Sequence, residues 1–383
     1  SDVLEGMGGG DTLVGGSAGN NTASYEHAST GIIASLTSGL VAMSGDAAGD
    51  VYTNIQNLYG SAQNDILIGD NGVNTLTGGG GSDTLEGMGG ADTLIGGSAG
   101  NNTASYEHAS AGVTASLATP ALNGGDAAGD SYINIQNLTG SAFDDTLIGD
   151  SGANIFKGGA GVDTVSYTSA SASVTATLTS GLVVQGGDAL GDTFNGIENL
   201  TGSAYGDILI GDGGANTLTG GGGSDTVEGM GGGDRLVGGS AGNNTASYEH
   251  AGAGVVASLT AGLVIQSGDA AGDTFSNIQH LYGSAHNDTL IGDSGANTLT
   301  GGGGSDILEG MGGADSLVGG SAGNNTASYE HAGAGVIASL TAGLVIQSGD
   351  AAGDTFSNVQ HLAGSAYNDT LIGDSGANTL TGG

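Results

Sequence analysis

Acidic and amide residues recur at intervals of nine in this chain, as at Asp65, Asn74, Asp83 and Asp92. In a frame of nonapeptides that open on glycine, 19 of the 30 aspartates stand at position six and ten at position two, with Asp144 alone outside. Acids spread for solubility would not be confined to two places in a turn. Confined this way, they stack on successive coils about 4.8 Å apart, the spacing of neighbouring strands. Carboxylates that close repel one another unless a cation lies between them. Hard oxygen ligands are the only ones on offer, and glycine turns set main-chain carbonyls beside each carboxylate. That donor set suits Ca2+ in six- or seven-fold coordination. Magnesium prefers a tighter octahedron and keeps its waters. Zinc would need His or Cys at ligand spacing; there is no cysteine, and the seven histidines are not so arranged.

The candidate ligands at position six are Asp11, Asp50, Asp65, Asp83, Asp92, Asp130, Asp145, Asp163, Asp192, Asp207, Asp225, Asp234, Asp273, Asp288, Asp306, Asp315, Asp354 and Asp369. At position two they are Asp70, Asp150, Asp212 and Asp293.

The elements that must position these groups follow from the same frame. Residues 60–104 divide into GSAQNDILI, GDNGVNTLT, GGGGSDTLE, GMGGADTLI and GGSAGNNTA, with Leu at position eight of the first four. Each nonapeptide carries a glycine turn and then a short x-D-x-L-x strand signal. Two of them make one 18-residue coil of a right-handed parallel solenoid, all-β, whose stacking buries the leucines in a continuous row. With 83 glycines in 383 residues the core is sparse, so metal binding is expected to supply folding energy.

A longer period overlies the short one. Tyr25, Tyr106, Tyr167, Tyr248 and Tyr329 mark corresponding points of one continuous array over 1–383, in units of approximately 1–24 (partial), 25–105, 106–166 (short), 167–247, 248–328 and 329–383 (partial). Between the nonapeptide runs lies a segment such as 105–140, whose alternating Val113, Ala115 and Leu117 suit a strand with one buried face. The sequence starts and stops within repeats, which predicts continuation in a longer chain or end-to-end self-association.

Composition narrows the partners. A formal charge of −37, with two basic residues, Lys157 and Arg235, disfavours nucleic acid and anionic lipid. No apolar run approaches a membrane span of about 18 residues, and no secretory signal is visible.

GGGGSDTLE, GGAGVDTVS, GGGGSDTVE and GGGGSDILE match the G-G-x-G-x-D-x-U-x nonapeptide, and the chain resembles the repeats-in-toxin (RTX, hemolysin-type) calcium-binding family. Four further copies have Met at position two, as in GMGGADTLI. The resemblance implies a parallel β-roll with calcium between same-side turns of successive coils. Carried over, Asp65, Asp83 and Asn101 line one ion row and Asn74 with Asp92 the other. One departure stands out: in five GDxGxNxL copies position six is Asn and position two is Asp. Either the position-two carboxylate restores the lost charge, or these are asparagine turns without an ion and with a solvated aspartate.

Tyr-Glu-His, at 25–27, 106–108, 248–250 and 329–331, reads as a turn with an inward tyrosine and two solvated polar residues. Replacing His108 by Ala should then cost about 0.5 kcal/mol or less. With no nucleophile–base–orienter set, an enzyme is not expected. The favoured reading is a secreted, calcium-stiffened structural protein, as a stalk, surface layer or filament, extracellular or on the cell surface and in contact with it or with polysaccharide. The alternatives are a polysaccharide- or ice-binding module and the calcium-binding tail of a secreted enzyme.

Overall fold

A computed structural model describes residues 1–344 and 347–383. Each leucine at position eight sits between residues that favour extended backbone, and each triplet forms a three-residue strand. In one run these are Asn57–Tyr59, Ile66–Ile68, Thr75–Thr77, Thr84–Glu86 and Thr93–Ile95. Alternate strands belong to two sheets. Leu58, Leu76 and Leu94 pair in parallel register in one, and Leu67 with Leu85 in the other. All five are at most 1% exposed, so each nonapeptide contributes one aliphatic side chain to a narrow core. The architecture is a parallel β-roll. Among the described residues helical structure is limited to three-residue 3-10 turns, and no helix is long and apolar enough to cross a membrane.

The chain forms two units, one of Ser1–Ala170 with Gln185–Asn199 and the other of Ser171–Val184 with Leu200–Gly383. In the first, one sheet runs from Val3–Leu4 to Ser131–Ile133 in six strands, and another from Ile33–Ser35 to Thr193–Asn195 in seven. In the second, an eight-stranded sheet runs from Thr175–Thr177 to Thr355–Ser357, and a six-stranded sheet from Val256–Ser258 to Thr379–Thr381.

The uniform 18-residue coil expected from the period does not hold through the tyrosine segments. After Thr103–Ser105 the chain makes Thr114–Ser116, which opens a new sheet by pairing ahead with Thr146–Ile148. Gly124 bridges Thr114 from the antiparallel side. Two 3-10 turns, Pro120–Leu122 and Gly125–Ala127, then lead to Ser131–Ile133, which closes the old sheet on Thr93–Ile95. Asn137–Thr139 meanwhile continues the middle sheet on Thr103–Ser105. The second unit repeats the pattern: Val256–Ser258 opens a sheet with Thr289–Ile291, and Thr274–Ser276 closes one on Arg235–Val237. The cause is local. The segment holds three strands where an ordinary coil holds two, so the roll exchanges one face at each passage. Within it Val113 and Ala115 are buried as the alternation predicts.

Candidate metal-binding ladder

The position-six side chains form hydrogen-bonded ladders along the turns. Each aspartate among them from Asp50 onward points back one coil and accepts a main-chain N–H there. Asp83 Oδ1 accepts from Asp65 at 2.9 Å, and Asn102 Oδ1 accepts from Asp83 at 2.9 Å. On the other edge Asp92 Oδ1 accepts from Asn74 and Asp130 Oδ1 from Asp92, both at 2.8 Å. Asp65 with Asp83, and Asn74 with Asp92, thus lie on successive coils, and Asn102 takes the place assigned to Asn101, which is exposed. Thr103 pairs with Thr84, so GGSAGNN carries one residue more than its neighbours before its strand begins.

What happens to the second oxygen divides the ladder into four kinds of rung. In the GSAxxD turns serine holds it. Asp65 Oδ2 receives the Ser61 N–H at 2.6 Å and the Ser61 hydroxyl at 3.0 Å, while Oδ1 receives the Ile32 N–H. Asp145, Asp207, Asp288 and Asp369 are held in the same way by Ser141, Ser203, Ser284 and Ser365. In the GDAAGD turns tyrosine holds it: Asp50, Asp130, Asp192, Asp273 and Asp354 accept the hydroxyls of Tyr25, Tyr106, Tyr167, Tyr248 and Tyr329 at 2.8–2.9 Å.

In the GDxGxN turns an amide fills the place. Asn74 Oδ1 accepts the Asp70 N–H at 2.8 Å, and its Nδ2 donates to the Gln56 carbonyl at 2.8 Å. Asp70 closes its own turn by accepting the Gly72 N–H at 2.8 Å. Asp150, Asp212 and Asp293 do likewise with Gly152, Gly214 and Gly295. The position-two carboxylate is thus engaged inside its turn.

The fourth kind is unlike the others. Oδ2 of Asp11, Asp83, Asp92, Asp163, Asp225, Asp234, Asp306 and Asp315 is buried and has no hydrogen-bond partner. These eight lie in the GGxGxD and GMGGxD turns. Seven of them are only 1% exposed, and leaving a buried carboxylate oxygen unpaired costs on the order of 1–3 kcal/mol. Burial pushes the carboxyls of Asp83, Asp163, Asp225 and Asp306 up to about 6. It pushes those of Asp92, Asp234 and Asp315 up to about 7.

The surroundings fit a calcium ion. Each of these carboxylates folds against the glycine five residues earlier; a Cβ on Gly78 or Gly87 would overlap Asp83 or Asp92 Oδ2. Over Gly90, Gly232 and Gly313 a carbonyl from the coil before (Gly72, Gly214, Gly295) approaches the same space as Oδ1 of the aspartate, the oxygen that already accepts a main-chain N–H. Among the described residues no three His, Cys, Asp or Glu side chains cluster tightly enough to hold a metal ion by themselves. Main-chain carbonyls must complete any cage, which is a calcium-like donor set. Met88 occupies the second position at φ 68°, a left-handed conformation that Gly79 adopts in the neighbouring repeat.

The inward tyrosine is as expected: Tyr25, Tyr106, Tyr248 and Tyr329 are 1% exposed. The histidine and its surroundings are not. His108 Nδ1 lies 2.8 Å from Glu86 Oε2, and Glu86 is buried. His250 with Glu228, His331 with Glu309 and His27 with Glu5 repeat the pair. Hydrogen bonding to Glu5 raises the pKa of His27. Glutamate at position nine of GGGGSDTLE and serine at position two of GSAxxD were visible signals of these contacts.

A family model, the RTX calcium-binding nonapeptide repeat, matches residues 1–22, 56–85, 68–104, 136–167, 192–227, 201–236, 282–317 and 358–383, together more than half of the chain. All eight aspartates with an orphaned oxygen lie inside these matches, whereas Asp50, Asp130, Asp273 and Asp354 lie between them. No curated protein matches the chain. On its fold, its repeats and this match, the chain belongs to the RTX calcium-binding nonapeptide repeat family and binds Ca2+.

Proposed function

We propose that this is a non-catalytic structural protein of the extracellular space, a stalk, filament or surface layer whose coils are pinned by calcium at Asp11, Asp83, Asp92, Asp163, Asp225, Asp234, Asp306 and Asp315. The observation that carries the reading is the buried Oδ2 of each, which has no partner of its own. A calcium ion supplies positive charge and draws carbonyls of adjacent turns together. Without it, a chain of formal charge −37 stacks its carboxylates against their mutual repulsion. Calcium outside cells is abundant enough to fill modest sites, such as extracellular modules with dissociation constants of about 0.1–1 mM.

Near pH 8, where the orphaned carboxyls are charged, removing calcium from the full chain with excess chelator should convert its far-UV circular dichroism from strand to coil, reversibly on adding calcium but not sodium. A chelated protein that keeps its strand signal overturns the stiffening role. Electron microscopy in millimolar calcium should show rods, fibres or layers. Dispersed short particles would count against a stalk or filament.

A further inference from the structure

Two successive rungs on one edge of the second unit differ in a way that bears on where calcium goes. Asp234 Oδ1 accepts the Asn216 N–H at 2.8 Å, and Asp273 Oδ1 accepts the Asp234 N–H at 2.9 Å. Both side chains are buried. Asp234 Oδ2 has no partner, while Asp273 Oδ2 receives the Tyr248 hydroxyl at 2.9 Å. The first unit repeats the contrast, with Asp92 orphaned and Asp130 held by Tyr106 at 2.9 Å.

We infer, building on the calcium reading of the orphaned rungs, that the tyrosine hydroxyl replaces the ion, so that the GDAAGD rungs hold without calcium. A hydroxyl donating to a carboxylate makes a short, charge-assisted bond and satisfies the oxygen that a cation would otherwise have to satisfy. Tyr248 is 1% exposed, so the bond is made out of reach of solvent. The five tyrosines come from the segments where one sheet closes and another opens. There the closing strand returns across a long excursion, as Thr274–Ser276 returns to Arg235–Val237. A metal-free clamp at this level lets the excursion dock before any ion arrives, while the nonapeptide coils between clamps wait for calcium.

The test counts calcium ions bound to the full chain by equilibrium dialysis or titration calorimetry. Asp273→Asn should leave the count unchanged, since asparagine already fills such a rung at Asn102, whose Oδ1 accepts the Asp83 N–H. Asp234→Asn should lower it by one. Tyr248→Phe should raise it by one, by orphaning Asp273 Oδ2. Loss of an ion in Asp273→Asn, or an unchanged count in Tyr248→Phe, overturns the inference. An unchanged count in Asp234→Asn instead overturns the calcium reading of the orphaned rungs, so the two failures are distinguishable.

Discussion

Glu86 grips His108 twice: Oε1 accepts its main-chain N–H at 2.8 Å, and Oε2 lies 2.8 Å from its Nδ1. Glu86 is 3% exposed, and burial raises its pKa against the lowering effect of the histidine. His108→Ala therefore removes one of the partners of a buried carboxylate. The expected loss is about 1–3 kcal/mol, more than a solvated turn residue would cost. Urea unfolding in calcium checks this, and a Glu86→Gln/His108→Ala cycle separates the pair from its surroundings. A loss within 0.5 kcal/mol, the ordinary range of about ±0.5 kcal/mol for surface substitutions, would remove the pair from the account.

The orphaned carboxylates make the calcium-free fold sensitive to alkali. Their pKa values are pushed up to about 6 at Asp83 and about 7 at Asp92, whereas an unfolded aspartate titrates near about 3.9. A raised folded value contributes stability fully present below the unfolded value and lost as pH rises through the folded one. Calcium-stripped protein should thus melt at a higher temperature near pH 5 than near pH 8, an order that added calcium reverses because binding needs the charged form. Scanning calorimetry on stripped protein decides it; a midpoint that climbs from pH 5 to pH 8 contradicts the assignment.

Gly78 is required for space. A Cβ there would press on the Asp83 carboxylate, so Gly78→Ala should cost about 1–3 kcal/mol as an overpacking change and release one calcium ion. Gly213→Ala is the control: its Cβ would meet nothing within 4 Å, and the effect should stay within about 0.5 kcal/mol. Melting curves of the two variants in calcium should separate them; equal shifts would refute the cradle.

Leu76 stands between Leu58 and Leu94 in its row and is fully buried. Leu76→Ala should cost about 2–5 kcal/mol, the usual range for a truncated core leucine. Chemical denaturation measures it, and a loss under about 1 kcal/mol would mean the row collapses to fill the gap.

The strands, both leucine rows and the position-six ladders were legible because each repeats at nine residues, and parallel stacking turns that period into contact. Three features were not. The residue inserted before Asn102 is hidden in GGSAGNN, where two asparagines adjoin and only the strand pairing shows which one enters the row. The exchange of faces at Thr114–Ser116 depends on pairing with a strand still to come. The tyrosine and serine clamps are invisible to a count of acids, since an aspartate looks the same with or without a hydroxyl beside it. Phe156, at position eight, packs inward and Phe194, Phe275 and Phe356 are half-buried there, but Phe143, Tyr205 and Tyr367 stand exposed on GSAxxD turns, where no period marks them.

The exchange of faces has a mechanical consequence. In the first unit the sheet ending at Ser131–Ile133 and the sheet beginning at Thr114–Ser116 are both overlapped by the sheet that carries Thr103–Ser105 and Asn137–Thr139 through the same level. The arrangement is that of masonry laid in running bond: no seam passes straight through. A crack started by tension between Thr93–Ile95 and Ser131–Ile133 meets an unbroken course beside it, and the load passes sideways into that course. Each excursion, costly as it is in residues, thereby serves as a crack-stop in a material assembled from very short strands.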